Sequence, residues 1–252
     1  MSFDEVSIAY DNSIDWKKRL DREIPFIVNT LHAPEESEIL DMACGTGRHA
    51  VELASKGANV TAFDNSISMI HRAKHFAELH NAQIHFFVAD MMNMSEHISK
   101  SFDLVICLGN SLALLKTWKE VEYVIRVVHD ILVQEGSFIF QSLNFEEILL
   151  SGFRLFPMKS GETPRGNEVV FGRFFDHIPG SDYSQLILSS FLKMSKDWEV
   201  RVENRRVLQF KRDLIEPILT RTGFREIEFF SDYSKSTFHS SSSRNMIVQA
   251  KK

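Results

Sequence analysis

Cysteine is scarce in this chain. The 252 residues hold two, Cys44 and Cys107, too few for a disulfide framework and without the spacing of a metal site. Both fall at the ends of apolar runs and read as small buried thiols beside a ligand. No apolar run is long enough to span a membrane, and Met1-Ser2-Phe3-Asp4-Glu5 lacks the features of a signal peptide. The expectation is therefore a soluble, cytoplasmic protein. An excess of positive charge is also missing: the formal net charge is −5, which argues against nucleic acid as the main partner. Arg201 to Arg206 is the one small basic cluster. Glu203 interrupts it and valines flank it, so it reads as a solvated strand face. Internal repeats are absent. A balance of 44% hydrophobic and 25% charged residues suits a globular chain long enough to bury a full core.

What is present centres on Ile39-Leu40-Asp41-Met42-Ala43-Cys44-Gly45-Thr46-Gly47-Arg48-His49-Ala50. An apolar run ends in a carboxylate, then a loop with two glycines, then a helical pattern. Gly45 and Gly47 lack a Cβ and let the backbone turn tightly against a ligand. The helix that follows aims free N–H groups and the positive end of its dipole at the same place. Three more apolar runs end similarly: Asn59–Phe63 before Asp64, Ile84–Ala89 before Asp90, and Phe102–Cys107 before Leu108-Gly109-Asn110-Ser111. Asp64 lies about 20 residues past the glycines, where a carboxylate can accept from ribose hydroxyls. Asp41, Asp64, Asp90 and Asn110 thus mark the carboxyl ends of successive strands, the rim where open α/β sheets bind ligands.

In chain order, Ser13 to Leu31 has helical periodicity through Trp16, Leu20, Ile24, Ile27 and Leu31, with Pro25 expected to kink it or start a second helix. Its other face, from Asp15 to Glu23, reads as polar. Either this is a packing helix, or it is a lid whose Tyr10, Trp16 and Arg22 reach over the ligand. Helices are expected over Arg48–Lys56, Ser66–His80 and Trp118–Val133, the last followed by a turn at Gly136 and a fifth strand, Ser137–Leu143. His71 and His75 have no third ligand at metal spacing and read as solvated. Met91, Met92 and Met94 form loop core or a pliable wall for an aromatic ring. The alternation gives a doubly wound parallel sheet. From Ser151 the pattern changes: glycines and prolines mark an irregular loop, and Glu168–His177, Tyr183–Met194 and Trp198–Val207 read as an antiparallel meander. A helix, Arg212–Arg221, and two strands, Phe224–Phe230 and Asn245–Ala250, complete the chain.

Asp41-Met42-Ala43-Cys44-Gly45-Thr46-Gly47 resembles the first motif of the class I S-adenosylmethionine-dependent methyltransferases, with Asp64, Asp90 and Cys107–Ser111 at the later ones. Val105–Ser111 and Asn144–Leu149 resemble the glycine and sarcosine N-methyltransferase branch. The resemblance implies a seven-stranded, mostly parallel, Rossmann-like α/β sheet with an inserted antiparallel cover. The implied division is an N-terminal helical lid (1–36), a cofactor-binding domain (37–150 and 208–252) and a substrate cover (151–207). It implies S-adenosylmethionine as cofactor. Gly45 and Gly47 would lie under its methionine portion and Asp41 would orient the amino end. Asp64, followed by Asn65, would take the ribose, Asp90 the adenine amine, Met91 a backbone contact to the ring, and the Leu108 carbonyl the ammonium. Tyr10, Trp16 and Arg19 or Arg22 resemble the segment that closes the site. Asn110, Tyr10, Arg173 and His177 are the candidates for positioning the acceptor, His177 being the one plausible proton acceptor in the meander. A structural role is the better default for it.

Two positions depart from the branch. Its substrate-carboxylate arginine is here Leu143, and a histidine of its Gly-Asn-Ser stretch is Leu114. An apolar side chain cannot replace a charge-assisted clamp, so glycine is not the expected acceptor. Arg154, Arg165 and Arg173 remain as alternative anion anchors. The leading expectation is a methyltransferase acting on a small molecule, at nitrogen, by in-line displacement, with neither nucleic acid nor membrane as partner. The alternatives are a nicotinamide-dependent oxidoreductase and a non-catalytic nucleoside-binding module.

Overall fold

Alternate residues along the central strands feed two separate cores. Leu40, Met42, Val105, Phe138 and Phe140 face one layer, and Ile39, Leu104, Ile106 and Ile139 the other. Strands buried on both faces need helices on both sides, and that requirement sets the architecture. The computed structural model describes residues 11, 13–163 and 165–252. Five parallel strands, β1 (Glu38–Met42), β2 (Asn59–Asp64), β3 (Ile84–Val88), β4 (Phe102–Cys107) and β5 (Leu132–Leu143), are extended by antiparallel β10 (Arg225–Phe230) and β11 (Asn245–Lys251). The sheet order is β10-β11-β5-β4-β1-β2-β3, mixed only at the edge beyond β5. Helices α1 (Trp16–Val28), α2 (Arg48–Ser55) and α3 (Ile67–Leu79) pack on the Ile39 side. Helices α4 (Trp118–Ile131), α5 (Phe145–Leu150) and α6 (Arg212–Thr222) pack on the Leu40 side. Asp15, Ser66 and Thr117 each accept a backbone N–H of the first turn of the helix they precede.

A second, four-stranded antiparallel sheet is built from β6 (Lys159–Glu162), β7 (Glu168–His177), β8 (Tyr183–Lys193) and β9 (Trp198–Leu208), in that order.

Four local expectations are corrected. The loop after Ser151 contains β6, which pairs with β7 from Lys159↔Phe171 to Glu162↔Glu168; its Lys-Ser-Gly-Glu composition carries no strand signature, and pairing alone makes it one. Asn144 caps the short helix α5, which the periodicity had not marked. β5 starts at Leu132, directly after α4, not at Ser137: Glu135 takes φ +66° and the register against β4 shifts there, so the expected turn is a bulge inside the strand. Pro25 does not divide α1, which runs unbroken to Val28. The proline withholds only one donor, facing the turn of exposed Asp21.

Candidate active site

The glycine loop forces the chain through three left-handed residues, Ala43 (φ +55°), Gly45 (φ +56°) and Gly47 (φ +73°). At Gly47 a Cβ would meet the Ala73 Cβ at 2.9 Å, so glycine is needed to let α3 approach. At Gly45 a Cβ would meet nothing within 4 Å. The loop there borders open space on the ligand side, and glycine answers to φ alone.

Asp64 at the end of β2 braces this turn. Its Oδ2 accepts the Gly45 N–H at 3.0 Å and its Oδ1 the Ser66 N–H at 2.9 Å. Burial raises its pKa despite those bonds. Asp41 is 3% exposed, and its Oδ2 has no hydrogen-bond partner among the described residues. Burial, and next the charge of Asp64, push its carboxyl up to about 8. Two carboxyls that disfavour each other's ionisation beside an open glycine turn form a site for a cation with hydroxyls to donate. An orphaned carboxylate oxygen and a cradle with no Cβ match the ammonium, sulfonium and ribose of S-adenosylmethionine.

The rest of the rim is less uniform. Asp90 is exposed, its Oδ1 accepting from the Met92 N–H at 2.9 Å, and Asn65 is exposed after β2. Met91 and Met92 are half-buried against the core. Leu108 is buried and its carbonyl accepts from the Ser111 hydroxyl at 2.7 Å. Gly109 and Asn110 are consecutive left-handed residues, at φ +74° and +67°. Asn110 Oδ1 accepts from Ser142 Oγ and from the Leu143 N–H, each at 2.9 Å. What Asn110 offers a ligand is therefore its Nδ2 donor.

A cavity of about 640 Å³ opens beside Gly109 and Asn110, between the main sheet, α1 and the inner face of the second sheet. Arg22, Asn110 and Arg173 meet there, together with Arg19, Leu114 and Leu143. Arg19 and Arg22 both line it, and Arg19 Nη2 lies 3.8 Å from where a Gly109 Cβ would stand. Trp16 does not line it. Its ring meets His49 edge-on at 6.0 Å under the guanidinium of Arg19, and anchors α1. His177 stands outside the cavity lining, Nδ1 paired with Ser184 Oγ and Nε2 with the Phe153 carbonyl, both at 2.8 Å. With both nitrogens engaged it has no lone pair for a substrate proton, and it holds the cover together. Arg154 is likewise spent on Asp176 and the Phe175 carbonyl, and Arg165 is exposed. Tyr10 lies outside the described residues.

Several residues at the site carried no sequence signal. Glu23, expected on the polar face of α1, is 3% exposed. Burial alone would raise its carboxyl, but the His49 hydrogen bond at 2.8 Å and then Arg19 bring it below the usual range. Burial holds His49 neutral, so Nε2–H donates to the Glu23 carboxylate. Asp11 accepts from Thr46 of the glycine loop and pairs with Arg48 and Arg72. Tyr233, between β10 and β11, borders the cavity, its buried hydroxyl without a hydrogen-bond partner among the described residues. Arg201, Glu203 and Arg205, expected to be plain surface, also line the cavity. Their i, i+2, i+4 spacing was the available clue that one face of β9 could turn inward.

A family model described as a methyltransferase domain matches residues 39–136, the segment from β1 to the β5 bulge. A glycine/sarcosine N-methyltransferase from Aphanothece halophytica is 27% identical over 244 residues, covering 96% of this chain and 86% of the relative. Among solved structures, an S-adenosylmethionine-dependent methyltransferase from Clostridium acetobutylicum superposes with a TM-score of 0.77 at 21% identity, over 94% of this chain and 92% of that one. An amino pentose methyltransferase from Micromonospora echinaspora, solved with S-adenosylmethionine bound, gives 0.75 at 16% identity, over 100% and 98%. The family match decides between S-adenosylmethionine and a nicotinamide in favour of the former. Taken with the acid-braced glycine turn, these likenesses support reading the chain as a class I S-adenosylmethionine-dependent methyltransferase.

Proposed function

We propose that the chain methylates a small molecule at nitrogen, with the acceptor bound in the cavity beside Asn110. The observation that carries this reading is the lack of a free base. No histidine lines the cavity among the described residues, and its acids are engaged: Glu23 by His49 and Arg19, Glu203 by Arg205, and Asp232 by the backbone of Ser234 and Ser236. A neutral amine needs no base to attack, whereas a hydroxyl does. The name of the Aphanothece relative points the same way.

Bound S-adenosylmethionine supplies a methyl group already activated on a sulfonium. The chain's own part is to bind, to align and to exclude water. Asp64 takes the ribose hydroxyls, Asn65 follows it at the same edge, and Asp90 and Met91 receive the adenine. Gly45 and Gly47 give the methionine portion room, Asp41 faces its cationic end, and the Leu108 carbonyl accepts from its ammonium. Arg19 and Arg22 on α1, which Trp16 anchors, close the cleft as the N-terminal lid, and the second sheet covers the acceptor. Asn110 Nδ2 donates to an oxygen of the acceptor. Alignment of this kind is worth roughly 7–11 kcal/mol of barrier where the geometry is right.

The test is a labelled-methyl assay on panels of primary amines, phenols and thiols, with product analysis. Label on nitrogen is the expected result. Turnover confined to oxygen acceptors would overturn the assignment.

A further inference from the structure

The acceptor's chemical class can be taken further through the inner face of the second sheet. This step rests on reading the cavity as the acceptor site. Strand pairing sets Arg201, Glu203 and Arg205 of β9 opposite Ser190, Leu188 and Leu186 of β8, which in turn face Phe171, Arg173 and Phe175 of β7. Side chains alternate across a sheet, so all of these share one face, and all border the cavity. That face is a sheet of apolar groups with three guanidinium groups set into it. Arg201 pairs with Glu199 at 2.7 Å and Arg205 with Glu203 at 3.5 Å, while Arg173 lies over the Phe156 ring at 4.7 Å. A guanidinium carries five donors, and the Glu203 carboxylate at 3.5 Å does not use all of those of Arg205. Positive charge outweighs negative here: Lys159, at the edge of the same sheet, is held below the ordinary amine range first by burial, then by the charges of Arg173 and Arg19.

The opposite wall differs. Leu143 and Leu114 stand where the glycine branch has an arginine and a histidine, so this side offers Leu114, Leu143 and Ile247 beside the uncharged amides of Asn110, Gln141 and Asn245. The volume of about 640 Å³ lies within the roughly 300–1,000 Å³ typical of small-molecule sites and far exceeds what a two-carbon amino acid fills.

We propose that the acceptor is an amphiphilic anion: a carboxylate or phosphate gripped by Arg173 and Arg205 on the cover, joined through an apolar segment to the amine that is methylated. Arginine's planar fork suits either anion in two-point contact. The apolar segment lies between Leu186 and Leu188 on one side and Leu143 on the other.

Titration calorimetry on the protein saturated with S-adenosylhomocysteine tests this, with octanoate, octyl phosphate, octanol and glycine as probes. At least one anion should bind about tenfold or more tighter than octanol and glycine, as expected for a charge-assisted bond. Which anion is tighter identifies the headgroup. Arg173→Gln and Arg205→Gln should each remove about that factor for the anion and leave octanol unchanged. Arg173→Lys, which keeps the charge and loses the fork, should fall between. Octanol binding as tightly as both anions, or anion affinity insensitive to both glutamine variants, overturns the proposal. Failure of S-adenosylhomocysteine itself to bind would instead strike the cofactor assignment, so the two failures are distinguishable.

Discussion

The strand ends that carry Asp41 and Asp64, proposed as the cofactor wall, and the inner face of the second sheet, proposed as the acceptor wall, are held by different physics. On the cofactor wall, Asp41 and Asp64 project from strands whose neighbours Ile39, Leu40 and Leu104 are 0% exposed, and a glycine loop locks their direction. On the acceptor wall, charges alternate along β9 with Val200 and Val202, which are 54% and 64% exposed on the outer face, and the arginines are half-open to solvent. The first wall can hold a demanding geometry because nothing around it can move without opening the core. The second can change its ligand by exchanging one side chain in a pleat.

The comparison is broken most severely at Asp64. Asp64→Ala leaves the Gly45 and Ser66 N–H groups without their acceptor and removes the proposed ribose anchor. It should abolish stabilisation by S-adenosylhomocysteine, which for a real ligand at 100 times Kd is about 2.7 kcal/mol, read as the loss of the Tm shift.

Gly47 and Gly45 divide the roles of folding and binding. Gly47→Ala meets both an unfavourable φ and the Ala73 Cβ at 2.9 Å, and should lower stability in denaturant by about 2 kcal/mol or more. Gly45→Ala meets φ alone and should cost about 1–2 kcal/mol, yet the new methyl would enter the ligand space and weaken the cofactor's binding.

Asp41 gives the cofactor wall a pH signature. Its pKa rises from 3.8 to about 8 on folding, so between those values the folded chain holds a proton that the unfolded chain has released. The stability of the ligand-free protein should therefore fall as pH rises through this window. Asp41→Asn should flatten that part of the Tm–pH curve while weakening S-adenosylhomocysteine.

On the cover the effects are smaller. His177→Ala removes two hydrogen bonds and should cost about 1–3 kcal/mol of stability, with kcat/KM retained when assayed below the shifted Tm. A loss of kcat with a changed pH profile would restore it as a proton acceptor. Glu199→Ala, at a partly exposed pair, should change stability by about 0–1 kcal/mol.

The order of strands and helices, the glycine turn and the acids that end β1, β2 and β3 were legible in the chain. Each depends on residues close in sequence: an apolar run, a carboxylate, a glycine that must take positive φ. β7, β8 and β9 were legible for the same reason, through alternation and short turns.

Long-range packing decided the rest. Glu23 belongs by composition to a solvated helix face, and only the docking of α1 against His49 buries it. β6 is a strand because β7 accepts it as a partner. His177 loses its candidacy to Ser184 and Phe153, the latter 24 residues away in sequence. Arg201, Glu203 and Arg205 read as surface until the second sheet turns that face over the cavity. Backbone direction and polarity at a strand's end are local properties that a sequence carries. Which face of an amphipathic strand or helix finds cover is a property of surfaces meeting, and exists only once the chain has folded.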